Sequence, residues 1–496
     1  MTASQNHCEN TWKSQAGFVW SLIGSAVGFA NILSFSAQVY KNGGGAFLLP
    51  YGLALFILGI PLLILEGVIG SRLKAPLVTA YGSVWGNWGK TVGWLAVLAC
   101  LSIGSFYIVL TGYSIAYTYF SATGAIPEDT KGFFINSFLK ATSSIDNFGQ
   151  LSIPIFISTV AVAFVAWFVL VRNVKDGIER VCSIFMPLLA VMMGIFAITA
   201  NMLPGGINGL AYYLKPDFTK LLNVGLWRDI FGQLFFSLSL GLGIIVGYSR
   251  HSGQTTNIPR AMMYVALGDF AISFISGAAI FGCLAHISYI QNIPFESILN
   301  TESTFEIGFI IFPQILKSFG PVWSQCIGTI FFFCIFIAGI TGLFSIVESI
   351  SGNIEVEFQT SRKKAVTMII VSLTSLAIFF CMGNAASLID ALAPMVMGTN
   401  MLIGGIALIY AFQYSCRKIK KDPVWNGSHG LSPYAVCLRY IAPLLLGLIL
   451  FGNLLEEFQS YNAEKIVRWI WFLAAISLST LAARLSMKRQ LLQQES

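Results

Sequence analysis

Charge is scarce in this chain. Only 10% of its 496 residues are Asp, Glu, Lys or Arg, against about 25% in an ordinary soluble protein. A single soluble core does not grow to this length either. A soluble globular enzyme, a disordered chain, a coiled coil and a collagen-like rod are therefore excluded. Cysteine pairs are also missing. The nine cysteines are scattered without a CxxC, and most lie in apolar runs, where Cys acts as a small hydrophobe. There is no GxSxG, HExxH or GxxxxGK[ST], and His7, His251, His286 and His429 are far apart, so an enzyme finds no support. No basic domain stands outside the apolar segments, so the net charge of +7 does not imply a nucleic-acid partner. Alternating ten-residue strands, the mark of an outer-membrane barrel, are absent. The first fifteen residues lack the apolar core and cleavage site of a secretory signal, so the first apolar segment is expected to stay in the mature protein.

What is abundant is apolar sequence: 56% of residues are hydrophobic and the mean hydropathy is +0.74. Twelve apolar segments approach the ~20 residues needed to cross a bilayer. They run over 15–40, 44–70, 92–120, 152–171, 178–200, 225–249, 262–286, 322–350, 365–382, 388–415, 434–455 and 466–485. The expected fold is an all-α polytopic membrane protein of twelve transmembrane helices. Two inverted five-helix repeats cover 15–200 and 225–415, helices eleven and twelve cover 434–485, and tails cover 1–14 and 486–496. With both termini cytoplasmic, 20 of the 29 Lys and Arg residues fall on the inner side, as the positive-inside rule requires. The stretch 121–150 reads as a polar outer loop, and 287–320 as an outer loop with short helices.

Two segments are unusual. The first contains Gly24-Ser25-Ala26-Val27-Gly28-Phe29-Ala30-Asn31 and the sixth Ser237-Leu238-Ser239-Leu240-Gly241-Leu242-Gly243. Glycines and small polar residues at mid-span read either as close helix packing or as broken helices. Unwound backbone at membrane depth is tolerated only beside protein or a cavity. These segments open two sets of five, and breaks at matching places in two halves point to a transporter site at the bilayer midplane.

The runs GSAVGFANILSFSAQVYKNGGGAFLLPY (24–51), GQLFFSLSLGLG (232–243), GIER with the following MP (177–187), AGIT (338–341) and SRKKAV (361–366) resemble motifs of the neurotransmitter:sodium symporters. That family includes bacterial sodium-coupled amino-acid transporters. The broken-helix rule was itself drawn partly from this family, so its agreement is not independent support. The resemblance covers nearly the whole chain. It implies sodium-coupled uptake of an amino acid by alternating access, no organic cofactor, and a plasma-membrane location, with a bacterial inner membrane favoured by the short tails.

The resemblance also implies a site. Amides near Phe29 and Ala30 and the phenol of Tyr107 would take the substrate carboxylate, with the positive end of a half-helix behind them. Carbonyls of Ala26, Phe236 and Ser237, with the Ser239 hydroxyl, would take the ammonium. Ile103, Phe236, Leu242 and Ile346 would wall the side chain. Leu242 replaces a frequent Phe, and Gly342 removes a side chain. Both changes are expected to open space for a large neutral or aromatic amino acid.

One sodium would use Ala26, Asn31, Ser237 and Asp269, with the substrate carboxylate. A second would use Gly24, Val27, Ala338 and Thr341. Gly342 stands where many members carry a further hydroxyl, so one or two ions remain open. Animal members balance charge with chloride in a pocket that maps to Tyr51, Gln233, Ser237 and Ser273. Asp269 can supply that charge itself, and chloride-independent transport is expected. An acid inside a membrane span is a functional-site hypothesis by default. Glu66 is expected to clamp freed amides of the broken helices.

The gates depart from the family. Asp390 matches the acid of the outer gate, but Ser34 stands at its Arg position, leaving a water or the Ser hydroxyl to serve and Tyr107 with Phe236 as an aromatic lid. At the inner gate Trp12 is kept, Glu9 stands for the usual base and Val356 for its acid. A non-transporting amino-acid sensor on the same fold, or a channel, is the alternative. Beyond the bilayer and the small-molecule substrate no partner is implied, and the oligomeric state is not legible.

Overall fold

The computed structural model describes residues 11–142, 144–298, 307–317, 320–427, 430–459 and 462–494. Glu9 of the expected inner gate lies outside them. The first segment is two helices, α1 (Gln15–Ala26) and α2 (Ala30–Lys41), bent by 62°. Then come α3 (Gly45–Leu73), α4 (Leu77–Thr123), α5 (Ile153–Leu170) and α6 (Lys175–Met202). The sixth segment is again split, into α7 (Val224–Ser237) and α8 (Ile244–Ser249). The rest are α9 (Ile258–Gln291), α10 (Pro321–Phe358), α11 (Arg362–Cys381), α12 (Ala385–Ser415), α13 (Pro433–Phe458) and α14 (Ala463–Arg489). Ten of these are long and apolar enough to cross a bilayer, or eleven with the bent pair taken as one span. A count of twelve requires joining α7 and α8, of 14 and 6 residues. Among the described residues the only strands are Asn426–Gly427 and Gly430–Leu431, paired antiparallel.

Apart from the two split segments, each apolar run winds into one of these helices, because a bilayer leaves the backbone few other ways to satisfy its polar groups. The helices outgrow the apolar runs where polar ends carry the winding past the membrane. In α4, 47 residues are wound but Gly86 (φ 59°, ψ −134°) bends the chain, a backbone state open to glycine. The core is built on α10, which packs along α4 and buries Phe331, Phe344 and Val347. The helices α5, α6, α13 and α14 instead expose Phe164, Val191, Phe451 and Leu473, as lipid-facing helices do.

The GIER run has a specific structural use. Glu179 accepts from the Lys13 N–H (2.6 Å) and the Ser14 N–H (3.2 Å), while Ser14 caps α1 through Gly17 N–H (2.9 Å). This carboxylate satisfies donors at the start of α1, where the helix dipole favours negative charge. The loop 121–150 is less polar in structure than its sequence reads: Phe134 and Phe138 are buried against Tyr113, Tyr117 and Phe309.

Candidate substrate and ion site

Both breaks are made by backbone groups that leave the helix. Val27 is extended (ψ 117°), and the Gly28 N–H turns to the Asn31 side-chain oxygen (2.8 Å). The Gly24 carbonyl thereby loses its helical donor, as do those of the last turn generally. At the second break Ser239 (φ 52°), Gly241 (81°) and Gly243 (72°) adopt left-handed backbone. The Gly241 N–H, which would have bonded to Ser237, goes instead to Glu66 Oε1 (2.8 Å). The expected clamp is therefore present at one amide. Phe236 is not wholly free, since its carbonyl takes the Ser239 N–H (3.2 Å).

A polar knot lies beside the breaks. The Asn31 Nδ2 donates to Asp269 Oδ1 (2.6 Å), Ser273 Oγ (2.9 Å) and Ser237 Oγ (3.0 Å). Ser237 Oγ also donates to Asp269 Oδ2 (2.9 Å). All four residues are fully buried. The Asp269 carboxylate is thus held by an amide and a hydroxyl rather than by a cationic side chain. Burying such a group is costly without a counter-charge, and oxygen donors of this kind suit a hard cation. The donor set fits sodium with one adjustment. Asn31 presents its nitrogen to Asp269 and its oxygen to Gly28, so ligation by Asn31 requires its amide to turn over. The residues mapped to a chloride pocket gather here too: Tyr51 lies beside Ser237, and Gln233 Nε2 donates to the Ala30 carbonyl (2.8 Å).

Between the breaks is a cavity of ≈ 30 Å³, room for about two waters at the ~10–15 Å³ each requires. Ala26, Phe29, Ala30, Ile103, Tyr107, Phe236, Ser239, Leu242 and Ile346 line it. Ser237 does not, because its hydroxyl belongs to the polar knot. The lining further includes Ser25, Cys100 and Ser345, which the sequence reading did not single out, and no charged residue. Tyr107 meets Phe29 edge-on at 5.2 Å, and its oxygen lies against Gly28. Gly342 lines the cavity as well, but the space its missing side chain leaves is partly taken. A β-carbon there would lie 2.4 Å from the Tyr107 oxygen, so the tyrosine already stands in that space.

The remaining ion residues stand on the two elements expected. Thr341 Oγ1 donates to the Ile337 carbonyl (2.9 Å) or that of Ala338 (3.2 Å), keeping its lone pairs for a cation. The gate residues divide. Trp12 is in place: its indole donates to the Tyr248 carbonyl (2.9 Å), its backbone N–H to that of His251 (3.2 Å). Asp390 is not brought to Tyr107 and Phe236; it is exposed, and its own carbonyl accepts from Arg468 (3.4 Å). Ser34 does not bridge to it either, being short and already donating to Gln233 (2.9 Å).

At the Trp12 end the structure has a charge cluster in place of the usual pair. Glu348 meets Arg362 (2.7 Å), Arg250 (3.4 Å) and His251 (3.5 Å), and Glu355 meets the same arginines. Val356 faces outward. Glu348 could have been found in the sequence, since it stands in an apolar run as Glu66 and Asp269 do.

An all-helical membrane protein with two broken helices around a central cavity and a buried acid has the form of a secondary transporter. The chain matches the sodium:neurotransmitter symporter family over residues 9–131 and 125–491. It is 34% identical to an uncharacterized sodium-dependent transporter of Methanocaldococcus jannaschii over 401 residues, 80% of each chain. It is 24% identical to the sodium- and chloride-dependent GABA transporter 2 of Rattus norvegicus, over 95% of this chain and 79% of that one. Its fold superposes on the crystal structure of MhsT in complex with L-phenylalanine with a TM-score of 0.77 and 26% identity, covering 90% of this chain and 99% of that one. The chain belongs to the sodium:neurotransmitter symporter family. It is a multi-pass membrane protein built for sodium-coupled transport.

Proposed function

We propose that the protein couples inward sodium flow to uptake of a neutral, large hydrophobic or aromatic amino acid by alternating access, without chloride. The observation that carries this is the fully buried Asp269, held at 2.6–3.0 Å by Asn31 and Ser237 between two helix breaks. In this reading the first sodium lies against Asp269, Asn31, Ser237 and the Ala26 carbonyl, and the substrate carboxylate completes its shell. A shared ligand makes each bound species raise the other's affinity by the same factor. Asp269 supplies the negative charge that chloride brings elsewhere in the family.

The apolar wall of Ile103, Phe236, Leu242 and Ile346 favours an apolar substrate side chain, and the MhsT structure with L-phenylalanine supports that class. The cavity must widen to admit it. The second sodium lies among Gly24, Val27, Ala338 and Thr341. Tyr107 and Phe236 close one side of the site, while Trp12 and the Glu348 cluster close the other, which the distribution of Lys and Arg assigns to the cytoplasm. Each sodium entering down 100 mV supplies ~2.3 kcal/mol, enough for a roughly fiftyfold substrate gradient.

A thermal-shift screen of the purified protein against the twenty amino acids tests this. Phenylalanine, tryptophan, leucine and their like should raise the melting temperature in sodium but not in choline, and equally with gluconate for chloride. Stabilisation only by small or charged amino acids, or only with chloride, would contradict it.

A further inference from the structure

The second ion set lacks an oxygen at Gly342, and the structure brings one there from another helix. A β-carbon on Gly342 would lie 2.4 Å from the Tyr107 phenol oxygen, and one on Gly28 2.5 Å from the same atom. The oxygen rests in a notch between two glycines. Gly28 directly follows Val27, and Gly342 directly follows Thr341, so both glycines adjoin residues of the second ion set along the chain. A serine hydroxyl at 342 would be one bond beyond that β-carbon, in the space the phenol oxygen takes up. Neither position can carry a side chain while Tyr107 keeps this place.

We propose that the Tyr107 phenol oxygen is a ligand of the second sodium, replacing the hydroxyl that Gly342 lacks. The inference rests on the sodium sites proposed above. A phenol offers one hydrogen and two lone pairs. In this reading one lone pair faces the ion, and the hydrogen is left for the substrate carboxylate. A cation on the oxygen makes its O–H a stronger donor. Tyr107 therefore links the second sodium to the substrate through a single atom, in addition to the carboxylate that links the first.

The test is sodium binding without amino acid, read as the sodium concentration for half-maximal thermal stabilisation and by direct ²²Na⁺ binding. Tyr107→Phe should raise that concentration about tenfold, as loss of one charge-assisted bond does. If tyrosine served only the substrate, the substrate-free titration would be unchanged, and that result overturns the proposal. Tyr107→Phe/Gly342→Ser returns an oxygen to the notch. It should recover sodium binding while phenylalanine binding stays weak, and failure to recover sodium binding would also overturn it. Gly342→Ser alone, with Tyr107 present, should displace the phenol and weaken phenylalanine binding with sodium binding kept; unaltered phenylalanine binding would count against the notch. A wild-type protein that binds no sodium would instead overturn the proposed function.

Discussion

At the first break Asn31 returns its own side-chain oxygen to the Gly28 N–H three residues before it (2.8 Å). At the second, the Gly241 N–H is met by Glu66, 175 residues away on α3 (2.8 Å). The first repair is local and uses the same side chain that contacts Asp269. The second is imported, and among the described residues Glu66 makes no hydrogen bond to Asp269 or its partners. The backbone differs in the same sense: no residue of the first break has positive φ, whereas three of the second do. The first interruption is tied to the ion; the second touches it only through Ser237, while its glycines serve the fold. Substitutions at the glycines of the second should therefore cost stability whether or not sodium is present, and substitutions at the first should change the response to sodium.

The largest effect is expected at Gly241. Its φ is +81°, and a β-carbon would lie 2.4 Å from the Met401 carbonyl oxygen, so neither backbone nor neighbour can yield cheaply. Gly241→Ala should abolish the monodisperse peak in size-exclusion chromatography; a normal peak would show that the second break is softer than described. Asp269→Asn sharpens the contrast from the other side. Half-maximal stabilisation should need about tenfold more sodium or greater, the loss of one close charge pair. The sodium-free protein should melt no lower, because an uncompensated buried charge has been removed. The variant should also acquire chloride dependence through Tyr51, Gln233, Ser237 and Ser273. Equal sodium titrations for wild type and variant would detach Asp269 from the ion.

Glu66→Ala should leave the Gly241 N–H without its acceptor, costing about 1.5–3 kcal/mol, with the same loss in sodium and in choline. A sodium-dependent loss would erase the distinction between the breaks. The smallest effect concerns the Trp12 end. His251 lies outside the spans, where burial and then Arg250 push its pKa down to about 4. It is neutral in the folded protein, so its contribution to stability is present above the unfolded value of about 6.5 and is lost as pH falls from there toward 4. His251→Gln should flatten that part of the melting-temperature profile, leaving the response to sodium unchanged.

Much of this architecture could be read from residue order because membrane helices are long, apolar and intolerant of exceptions. Gly24 to Asn31 and Ser237 to Gly243 declared themselves as interruptions, and Asp269 and Glu66 as acids where acids are expensive. The local ends of the story were harder. The partners of Glu348 stand on the ends of other helices, with nothing in their spacing to join them. Ser34 and Asp390 were aligned with a gate, but a short hydroxyl finds Gln233 first, and Arg468 from α14 takes the Asp390 carbonyl. Gly342 read as empty space. Only packing shows that a tyrosine from α4 occupies part of it.

The central claim is that a sodium gradient drives an amino acid uphill through this site. Purified protein in proteoliposomes, given inward sodium and an interior-negative potential, should accumulate radiolabelled phenylalanine or leucine above its external concentration, equally in chloride and gluconate, and release it when the sodium gradient is collapsed. Uptake that only equilibrates, or binding with no uptake at all, would contradict the account.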